Sequence, residues 1–457
     1  MTSRCHGDNV TLRAWIWIIV ENRNRSDDEP RSHVGRIEPG GQFGDVEAMR
    51  AKFVARLLVA VAIVVPSVYL IFLSVQNTDT KEAVRYTTTT KRQSQLIQKA
   101  VFLRYGDTDA ITIFSAYRHA DGVNVILASY GYYMRQLHCR LFDADLKEIL
   151  PSAEALVFPE FTVHCPASNK AKFVALTLND DDHVDQRDMH QIDTANDDSR
   201  SFFSVCLAPL WGDSPKWLML AEFVEYYRLQ GVEKFYVYKQ NADNLTEALL
   251  EDYVSNGVVE VVDVPDTTNC LKRHRCRHEV QLQDCVYRLR GRTEWVATVD
   301  LDERIFISNG TSIKDYIGSI TSEEIGELRF RCRWVLRMRE TAVNPAEWRL
   351  YGSPIPMAEW HNTSHVAPLN HTTKSIVRPT KVESMGVHQV IRFSPGASVL
   401  LVSPEDAVVR HYRNVAGWTF FLKEAETFGS FELTNIASNL LETLQNRVDK
   451  LISRLFE

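Results

Sequence analysis

The sequence has little of several features that mark specialised protein classes. Its 20 glycines and 16 prolines in 457 residues are too few for a collagen, and 45% apolar residues exclude a wholly disordered chain. Positive charge is not in excess, since 52 lysines and arginines face 59 aspartates and glutamates. This balance argues against nucleic acid as the main partner. Eight cysteines are also too sparse for a disulfide scaffold, so the composition indicates a globular chain of two or three folded units.

Long apolar runs are scarce, and only residues 57–75 (LLVAVAIVVPSVYLIFLSV) are long enough to cross a bilayer. A helix of this length spans about 28 Å, close to the thickness of bilayer hydrocarbon. Arg50, Lys52 and Arg56 precede the run and no basic residue follows it directly, which places the N-terminus in the cytosol. We therefore predict a cytosolic tail over 1–56 and an uncleaved transmembrane signal anchor over 57–75, with a buried core helix as the alternative.

The chain beyond the anchor begins with a polar segment. Residues 76–100 are rich in Thr, Gln and Lys and have too few apolar residues for a core, so we predict a stem. Alternating apolar stretches then predict a small β-rich lumenal subdomain over 101–200. These stretches are residues 111–117, 123–129 and 173–178. The acidic segment 180–199 is predicted to be a loop or linker.

From residue 201 the apolar pattern alternates between strand and helix periodicity, which predicts an α/β domain with a mostly parallel sheet over 201–420. The predicted strands are 205–210, 234–239, 258–264 and 294–299, and the predicted helices are 216–230, 245–256 and 279–290. Residues 421–457 are predicted to end in a helix. Its apolar face is expected to pack on its own domain, with a homodimer contact as the alternative.

Two features bear on the compartment of the residues that follow the anchor. Four sequons begin at Asn244, Asn309, Asn362 and Asn370. Seven cysteines follow the anchor, an odd number that leaves one thiol without a partner in the chain. These are Cys139, Cys165, Cys206, Cys270, Cys276, Cys285 and Cys332. The first two flank part of the β-rich unit and are candidates for a bridge, as expected in a secretory lumen.

A basic run, Lys272–His278, contains two histidines and Cys276. Its spacing with Cys270 matches no standard zinc finger, so we do not assign it to zinc. We predict a solvated loop, with a phosphate or glycan contact as the alternative.

The clearest chemical signal is an acid pair after an apolar strand. The sequence Trp295–Val299 reads as a strand buried on both faces, and it is followed by Asp300, Leu301, Asp302 and Glu303. Residues i and i+2 on a strand point to the same side, and ligands bind at the carboxyl ends of strands in open α/β sheets. Two carboxylates there suit Mg²⁺ or Mn²⁺ with a substrate diphosphate. A solvated turn is the alternative.

Several ordered blocks of the sequence together resemble glycosyltransferase family 92. The blocks are residues 206–217, 222–231, 284–285, 295–304, 361–364, 374–379 and 410–413. The resemblance covers about residues 105–420. It implies a GT-A fold, which is Rossmann-like with a mostly parallel sheet, in a single-pass type II Golgi membrane enzyme. It also implies transfer of galactose from UDP-galactose, in β linkage, to fucose on N-glycan cores, with Asp300 and Asp302 binding the metal.

Further candidate residues follow from this class of chemistry. GT-A enzymes commonly add a late histidine to the metal shell, and His388 and His411 are the candidates here. Lys374, Arg378 and Arg413 are candidates for contact with the diphosphate, with a solvated surface position as the alternative.

Inversion at the sugar carbon requires a carboxylate base near the acceptor hydroxyl. Glu303, Glu340 and Glu359 are the candidates, and sequence spacing does not choose among them. Three tryptophans after the acid pair are candidates for stacking on sugar rings, with core packing as the alternative. These are Trp334, Trp348 and Trp360.

The sequence thus predicts a metal-dependent inverting glycosyltransferase that uses Mn²⁺ or Mg²⁺ and a UDP-sugar donor, and acts on a glycan or glycoprotein acceptor. One alternative is a non-catalytic lumenal glycan-binding protein on the same fold. A second is a metal-dependent phosphodiesterase or nucleotidyltransferase.

Overall fold

The structure, a computed structural model, describes residues 111–194, 200–212, 214–265, 273–415 and 419–456. The predicted tail, anchor and stem lie outside these ranges. Among the residues that the structure describes, no helix combines the length and apolar character needed to cross a bilayer.

The strands are numbered in chain order. They are β1 (Ile113–His119), β2 (Gly122–Leu127), β3 (Gln136–Phe142), β4 (Glu148–Leu156), β5 (Thr162–Cys165), β6 (Phe173–Thr177), β7 (His190–Gln191), β8 (Asp193–Thr194), β9 (Ser201–Leu210), β10 (Lys234–Lys239), β11 (Val259–Asp263), β12 (Thr293–Val299), β13 (Glu303–Ile307), β14 (Ile325–Phe330), β15 (Cys332–Arg337), β16 (Asn362–Thr363), β17 (Lys374–Val377), β18 (Val382–Met385), β19 (Val390–Phe393), β20 (Ser398–Leu401), β21 (Ala407–Asn414) and β22 (Glu432–Leu433).

The α-helices are numbered in the same way. They are α1 (Trp217–Leu229), α2 (Asn244–Ser255), α3 (Arg273–Leu289), α4 (Ile313–Gly318), α5 (Pro345–Leu350), α6 (Pro356–Glu359), α7 (Thr419–Glu426) and α8 (Ser438–Phe456).

The N-terminal strands form two four-stranded sheets, with orders β5-β2-β1-β8 and β4-β3-β6-β7. A disulfide between Cys139 on β3 and Cys165 on β5 joins the two sheets, which confirms the predicted bridge. The prediction of a loop at 180–199 was wrong in part, because this segment contributes two edge strands. There β7 pairs with β6 and β8 pairs with β1, which satisfies backbone groups that a loop would leave to water.

A seven-stranded sheet of order β11-β10-β9-β12-β17-β14-β20 forms the centre of the α/β region. Four of its six neighbour pairs are parallel, which confirms the predicted mostly parallel sheet. The chain leaves β9 towards β10 and β11, then returns through α3 to β12 on the other side of β9. This reversal is a topological switch point at the carboxyl ends of β9 and β12, the position at which open α/β sheets bind ligands.

Helix α3 begins earlier than the sequence predicts, so the prediction of a solvated loop over Lys272–His278 was wrong from Arg273 onwards. The buried side chains of Arg277, Gln281 and Cys285 recur at intervals of four residues, so the packed face of the helix extends back into the basic run. Cys285 forms a disulfide with Cys206 on β9, which ties α3 to the central sheet. A buried face with so many polar residues gives a weak hydrophobic signal in the sequence.

The C-terminal helix α8 packs on its own domain, as predicted. Its buried residues join the same core as those of α1. They are Leu444, Val448, Leu451 and Ile452.

The α/β region has a second sheet besides the central one. Strand β13 starts directly after the acid pair and is the first strand of this five-stranded sheet, whose order is β13-β21-β15-β16-β22. The acid pair therefore lies in a turn held between two sheets.

Candidate active site

The acid pair lies in a tight turn at the carboxyl end of β12. The Glu303 N–H donates to the Asp300 carbonyl (3.1 Å), and the Asp300 N–H donates to Glu303 Oε2 (2.8 Å). The Asp302 carbonyl accepts from the Tyr412 N–H of β21 (2.7 Å), which fixes the turn to the second sheet. The side chains of Asp300 and Asp302 each remain 30% exposed. The turn thus presents both carboxylates partly to solvent on a well-bonded backbone.

A buried ion pair supports this turn from below. The Arg304 guanidinium, fully buried, donates through Nη1 to the carbonyls of Leu301 (2.8 Å) and Glu303 (3.0 Å). Its Nη2 donates to Glu222 Oε1 of α1 (2.9 Å). The second oxygen of Glu222 accepts from the Met357 N–H of α6 (2.6 Å). One ion pair therefore connects the acid turn, α1 and α6.

Three cationic or titratable side chains surround the two acids. Lys374 Nζ lies 3.0 Å from Asp300 Oδ2 and 3.2 Å from Glu303 Oε2. His411 Nε2 lies 3.2 Å from Asp302 Oδ2, and His278 Nε2 of α3 lies 3.6 Å from Asp300 Oδ1.

Strand pairing determines two of these positions. Thr298 of β12 pairs with Ser375 of β17, so the next step in the register brings Lys374 beside the end of β12. His411 of β21 is the direct partner of Glu303 in β13.

These neighbours shift the titration of the acids. Burial opposes ionisation of Asp300, but the Lys374 ammonium lowers the pKa of that carboxyl well below its usual range. Burial likewise opposes ionisation of Asp302, and the charge of His411 lowers its pKa. Burial and the nearby Asp300 charge raise the pKa of Glu303 to about 7. At neutral pH, Asp300 and Asp302 are therefore the ionised pair.

The turn has features that suit a divalent cation. Asp300 Oδ1 is buried and, although His278 Nε2 lies 3.6 Å away, it accepts no hydrogen bond from the described residues. A buried carboxylate oxygen without a donor is costly, and coordination to a cation would satisfy it. No group of three or more His, Cys, Asp or Glu side chains is assembled as a metal site within the described ranges. The two acids would thus need substrate phosphates to complete the shell, which is how proteins commonly bind Mg²⁺.

The remaining predicted ligands fall into two groups. Arg413 lies near the turn, because it directly follows Tyr412, whose N–H binds the Asp302 carbonyl, and its guanidinium stacks 4.0 Å from the centre of the Phe421 ring. His388 is held by the Thr373 carbonyl (3.1 Å), and burial with the adjacent Lys374 charge lowers its pKa to about 4. Both residues are therefore brought into the surroundings of the acid turn.

Arg378 is not brought to the acid turn. Its guanidinium donates to the carbonyls of Ser322 (2.8 Å) and Ile325 (3.3 Å) and stacks 4.2 Å from the Trp295 ring. Trp295 is near the start of β12, five residues before Asp300, which places Arg378 about 17 Å along the strand from Asp300. The reason is the antiparallel pairing of β12 and β17, which brings the first residue of β17 to the acids and carries the following residues away.

The three predicted catalytic glutamates occupy different environments. Glu303 lies at the turn but is 1% exposed, with its oxygens beside Lys374 and His411. Glu340 is 74% exposed and lies 3.5 Å from Arg337. Glu359 pairs with Arg339 (2.6 Å). Only Glu303 is at the acid turn, and it is enclosed.

The three tryptophans that were candidates for sugar stacking are core residues. Trp334, Trp348 and Trp360 are buried, so the alternative of core packing holds for all three.

Sequence reasoning missed the two residues that connect helices to the turn, His278 and Glu222. Glu222 had a local signal, because an acid among the apolar residues of a helix needs a buried partner. His278 had no comparable signal, because the buried face of α3 carries several polar residues.

Solved structures resemble this chain only distantly. Staphylococcus aureus TarS shares 12% identity over 56% of this chain and 72% of that chain, with a TM-score of 0.26. Glucosyl-3-phosphoglycerate synthase from Mycobacterium tuberculosis shares 13% identity over 56% of this chain and 80% of that chain, with a TM-score of 0.24. Neither likeness carries a conclusion at such TM-scores.

Sequence relatives are more informative. A glycosyltransferase family 92 protein of Oryza sativa subsp. japonica is 23% identical over 222 residues, which cover 47% of this chain and 34% of that protein. The beta-1,4-galactosyltransferase galt-1 of Caenorhabditis elegans is 24% identical over 195 residues, which cover 41% of this chain and 42% of that protein. The matched segments thus span less than half of these relatives' own lengths.

The family model of glycosyltransferase family 92 matches residues 201–444, which is more than half of the chain. The match includes the central sheet, the acid turn and the strands that carry Lys374 and His411. This chain belongs to glycosyltransferase family 92.

Proposed function

We propose that the protein transfers a hexose, galactose in the first instance, from a UDP-sugar to a hydroxyl of a glycan, with inversion and with dependence on Mn²⁺ or Mg²⁺. The observation that carries the proposal is the turn at the carboxyl end of β12, which holds two ionised carboxylates over a buried ion pair. Family membership supports glycosyl transfer, and the name of the Caenorhabditis elegans relative supports galactose as the sugar. We further propose that the fold is of the GT-A type, in agreement with the strand order of the central sheet.

The acid pair would hold the divalent cation together with the donor diphosphate. A cation there offsets the negative charge that develops on the departing UDP. The cationic side chains beside the acids have a different role. Lys374 and His411 each bind one oxygen of an acid, and this fixes the orientation of the carboxylates, as residues around metal ligands commonly do.

The acceptor hydroxyl must lose a proton as the sugar is transferred, and a carboxylate is the expected base. Glu303 is enclosed and bonded within the turn, so we propose that it positions the acids rather than accepting this proton. Glu340 and Glu359 stay as the candidate bases. Their Gln variants would separate them, because loss of the base removes the acidic limb from the pH profile of kcat.

We propose a Golgi membrane location, with a type II orientation and the domain beyond the anchor in the lumen. Two disulfides among the described cysteines support an oxidising compartment. The four sequon asparagines are exposed, which is compatible with N-glycosylation. These are Asn244, Asn309, Asn362 and Asn370.

The experiment uses the purified full chain with a panel of UDP-sugars, defined glycan acceptors and Mn²⁺. We expect sugar transfer that EDTA abolishes, that added Mn²⁺ restores, and that Asp302→Asn removes. Asp145→Asn is the matched control, because Asp145 is an exposed acid in the turn between β3 and β4. Transfer that survives both chelation and Asp302→Asn would refute the metal mechanism.

One observation favours a second candidate, a glycan-binding protein without transferase activity. The Lys374 ammonium already neutralises Asp300, one of the two acids that the metal would need. Such a protein would bind glycans with or without Mn²⁺, and would release no UDP from any UDP-sugar.

A further inference from the structure

A shallow pocket lies beyond the carboxyl end of β15. Its apolar wall includes Leu218 of α1, the buried Trp348 and Pro356 of α6. The interior has room for about one water molecule. A larger ligand would therefore rest across the mouth of the pocket rather than inside it.

The mouth combines an exposed aromatic ring with a charged pair. Tyr351 is 52% exposed, and the Arg339 guanidinium carbon lies 4.9 Å from the centre of its ring. Arg339 Nη2 in turn lies 2.6 Å from Glu359 Oε1. A flat apolar surface thus adjoins the Arg339 guanidinium, whose side chain is 44% exposed, and the Glu359 carboxylate, whose side chain is 21% exposed. A guanidinium offers five N–H donors and a carboxylate two acceptor oxygens.

This chemistry suits a hexopyranose ring. One face of such a ring carries C–H bonds that pack on an aromatic surface, and its edge carries hydroxyls that bond to charged groups. An apolar peptide would cover the ion pair without offering it hydrogen bonds. A nucleotide phosphate would be repelled by the negative charge of Glu359.

Hydrogen bonds and strand pairing connect the pocket to the acid turn. Glu222, which pairs with Arg304 beneath the turn, accepts from the Met357 N–H of α6, and α6 forms part of the pocket wall. In the second sheet, Trp334 of β15 pairs with His411. Arg339 follows Trp334 by five residues, so it lies within about 17 Å of the level of His411 along the strand. A glycan of a few sugars spans this distance.

We propose that this pocket is a subsite for a hexopyranose ring of the acceptor glycan, with Tyr351 stacking on the ring and Arg339 and Glu359 bonding its hydroxyls. Glu359 is then a binding residue, and Glu340 is the remaining candidate base. Assignment of the ring to the acceptor rests on the proposed function, whereas binding of the ring does not require catalysis.

The test measures sugar binding directly by saturation-transfer NMR on the full chain. The probes are the methyl glycosides of fucose, galactose, mannose and N-acetylglucosamine. We expect at least one glycoside to bind, and Tyr351→Ala to weaken that binding by about 2- to 12-fold, the value of an aromatic contact. Arg339→Gln is the second variant. Leu350→Ala is the matched control, since Leu350 is exposed, adjacent in sequence and not part of the pocket lining.

The proposal is overturned if Tyr351→Ala and Arg339→Gln both bind the glycoside as strongly as the wild type does. It is also overturned if none of the four probes binds. The two proposals fail separately. If the wild type transfers sugar and Tyr351→Ala has an unchanged acceptor KM, only the pocket is refuted. If Tyr351 governs binding but no UDP-sugar supports transfer, only the transferase function is refuted.

Discussion

Replacement of Arg304 by methionine probes the buried ion pair that supports the acid turn. The side chains of Arg304 and Glu222 are both fully buried. Arg304→Met leaves the Glu222 carboxylate in the core with only the Met357 N–H as a donor, and it removes the donor to the carbonyls of Leu301 and Glu303. Breaking a buried pair from one side typically costs ~3–5 kcal/mol, because an unpaired charge remains buried.

The double variant distinguishes a lost ion pair from simple loss of packing. In Glu222→Gln, the amide oxygen still accepts from Met357, but Arg304 is left unpaired. In Glu222→Gln with Arg304→Met, neither charge remains. We therefore expect the double variant to cost less than the sum of the single ones by ~1–3 kcal/mol.

Urea denaturation of the full chain, followed by tryptophan fluorescence, gives the free energies of unfolding. Mn²⁺-dependent UDP binding, measured on the same variants, reports on the turn itself. A loss below ~1 kcal/mol for Arg304→Met, with strictly additive effects and unchanged UDP binding, would refute a supporting role for this pair.

Two further predictions concern stability. Removing the Cys206–Cys285 disulfide by Ala substitution should cost about 4–5 kcal/mol at most, because its ends lie 79 residues apart. Removing Cys139–Cys165, with a separation of 26, should cost about 1 kcal/mol less, and the reverse order in urea denaturation would contradict this. Burial, assisted by Arg290, lowers the pKa of His119 to about 4. The unfolded chain takes up a proton there between pH 6.5 and 4, so stability falls as pH falls through this window, by ~2 kcal/mol at pH 5. His119→Asn should flatten this dependence, and an unchanged slope would contradict the assignment.

Much of the fold could be predicted, because each central strand consists mostly of apolar residues. The segments between these strands have apolar residues at helical spacing. The predicted strand 234–239 matches β10 at both ends, and the predicted helix 216–230 exceeds α1 by one residue at each end. Helix α3 was the exception. The sequence at its start is rich in charged residues, and Arg277 is buried against polar partners such as Gln240, which no hydrophobic period reveals.

The site divides in the same way. The acid pair follows from a local rule about strand ends, so the sequence was sufficient to predict its position. Lys374 and Arg378 look equivalent in sequence, and only the antiparallel pairing of β12 with β17 sends one to the acids and the other to the opposite end. His278 and Glu222 reach the turn through the packing of helices on the sheet. The sequence does not show which groups such packing brings together.

The central claim, that the acids at the end of β12 hold a divalent cation with the donor diphosphate, is tested most directly by calorimetric titration of UDP into the full chain. The account predicts that UDP binds only with Mn²⁺ present, that Asp300→Asn and Asp302→Asn each weaken this binding by at least about tenfold, and that Asp145→Asn leaves it unchanged. Equal affinity for UDP without metal, or in the two site variants, would contradict the account.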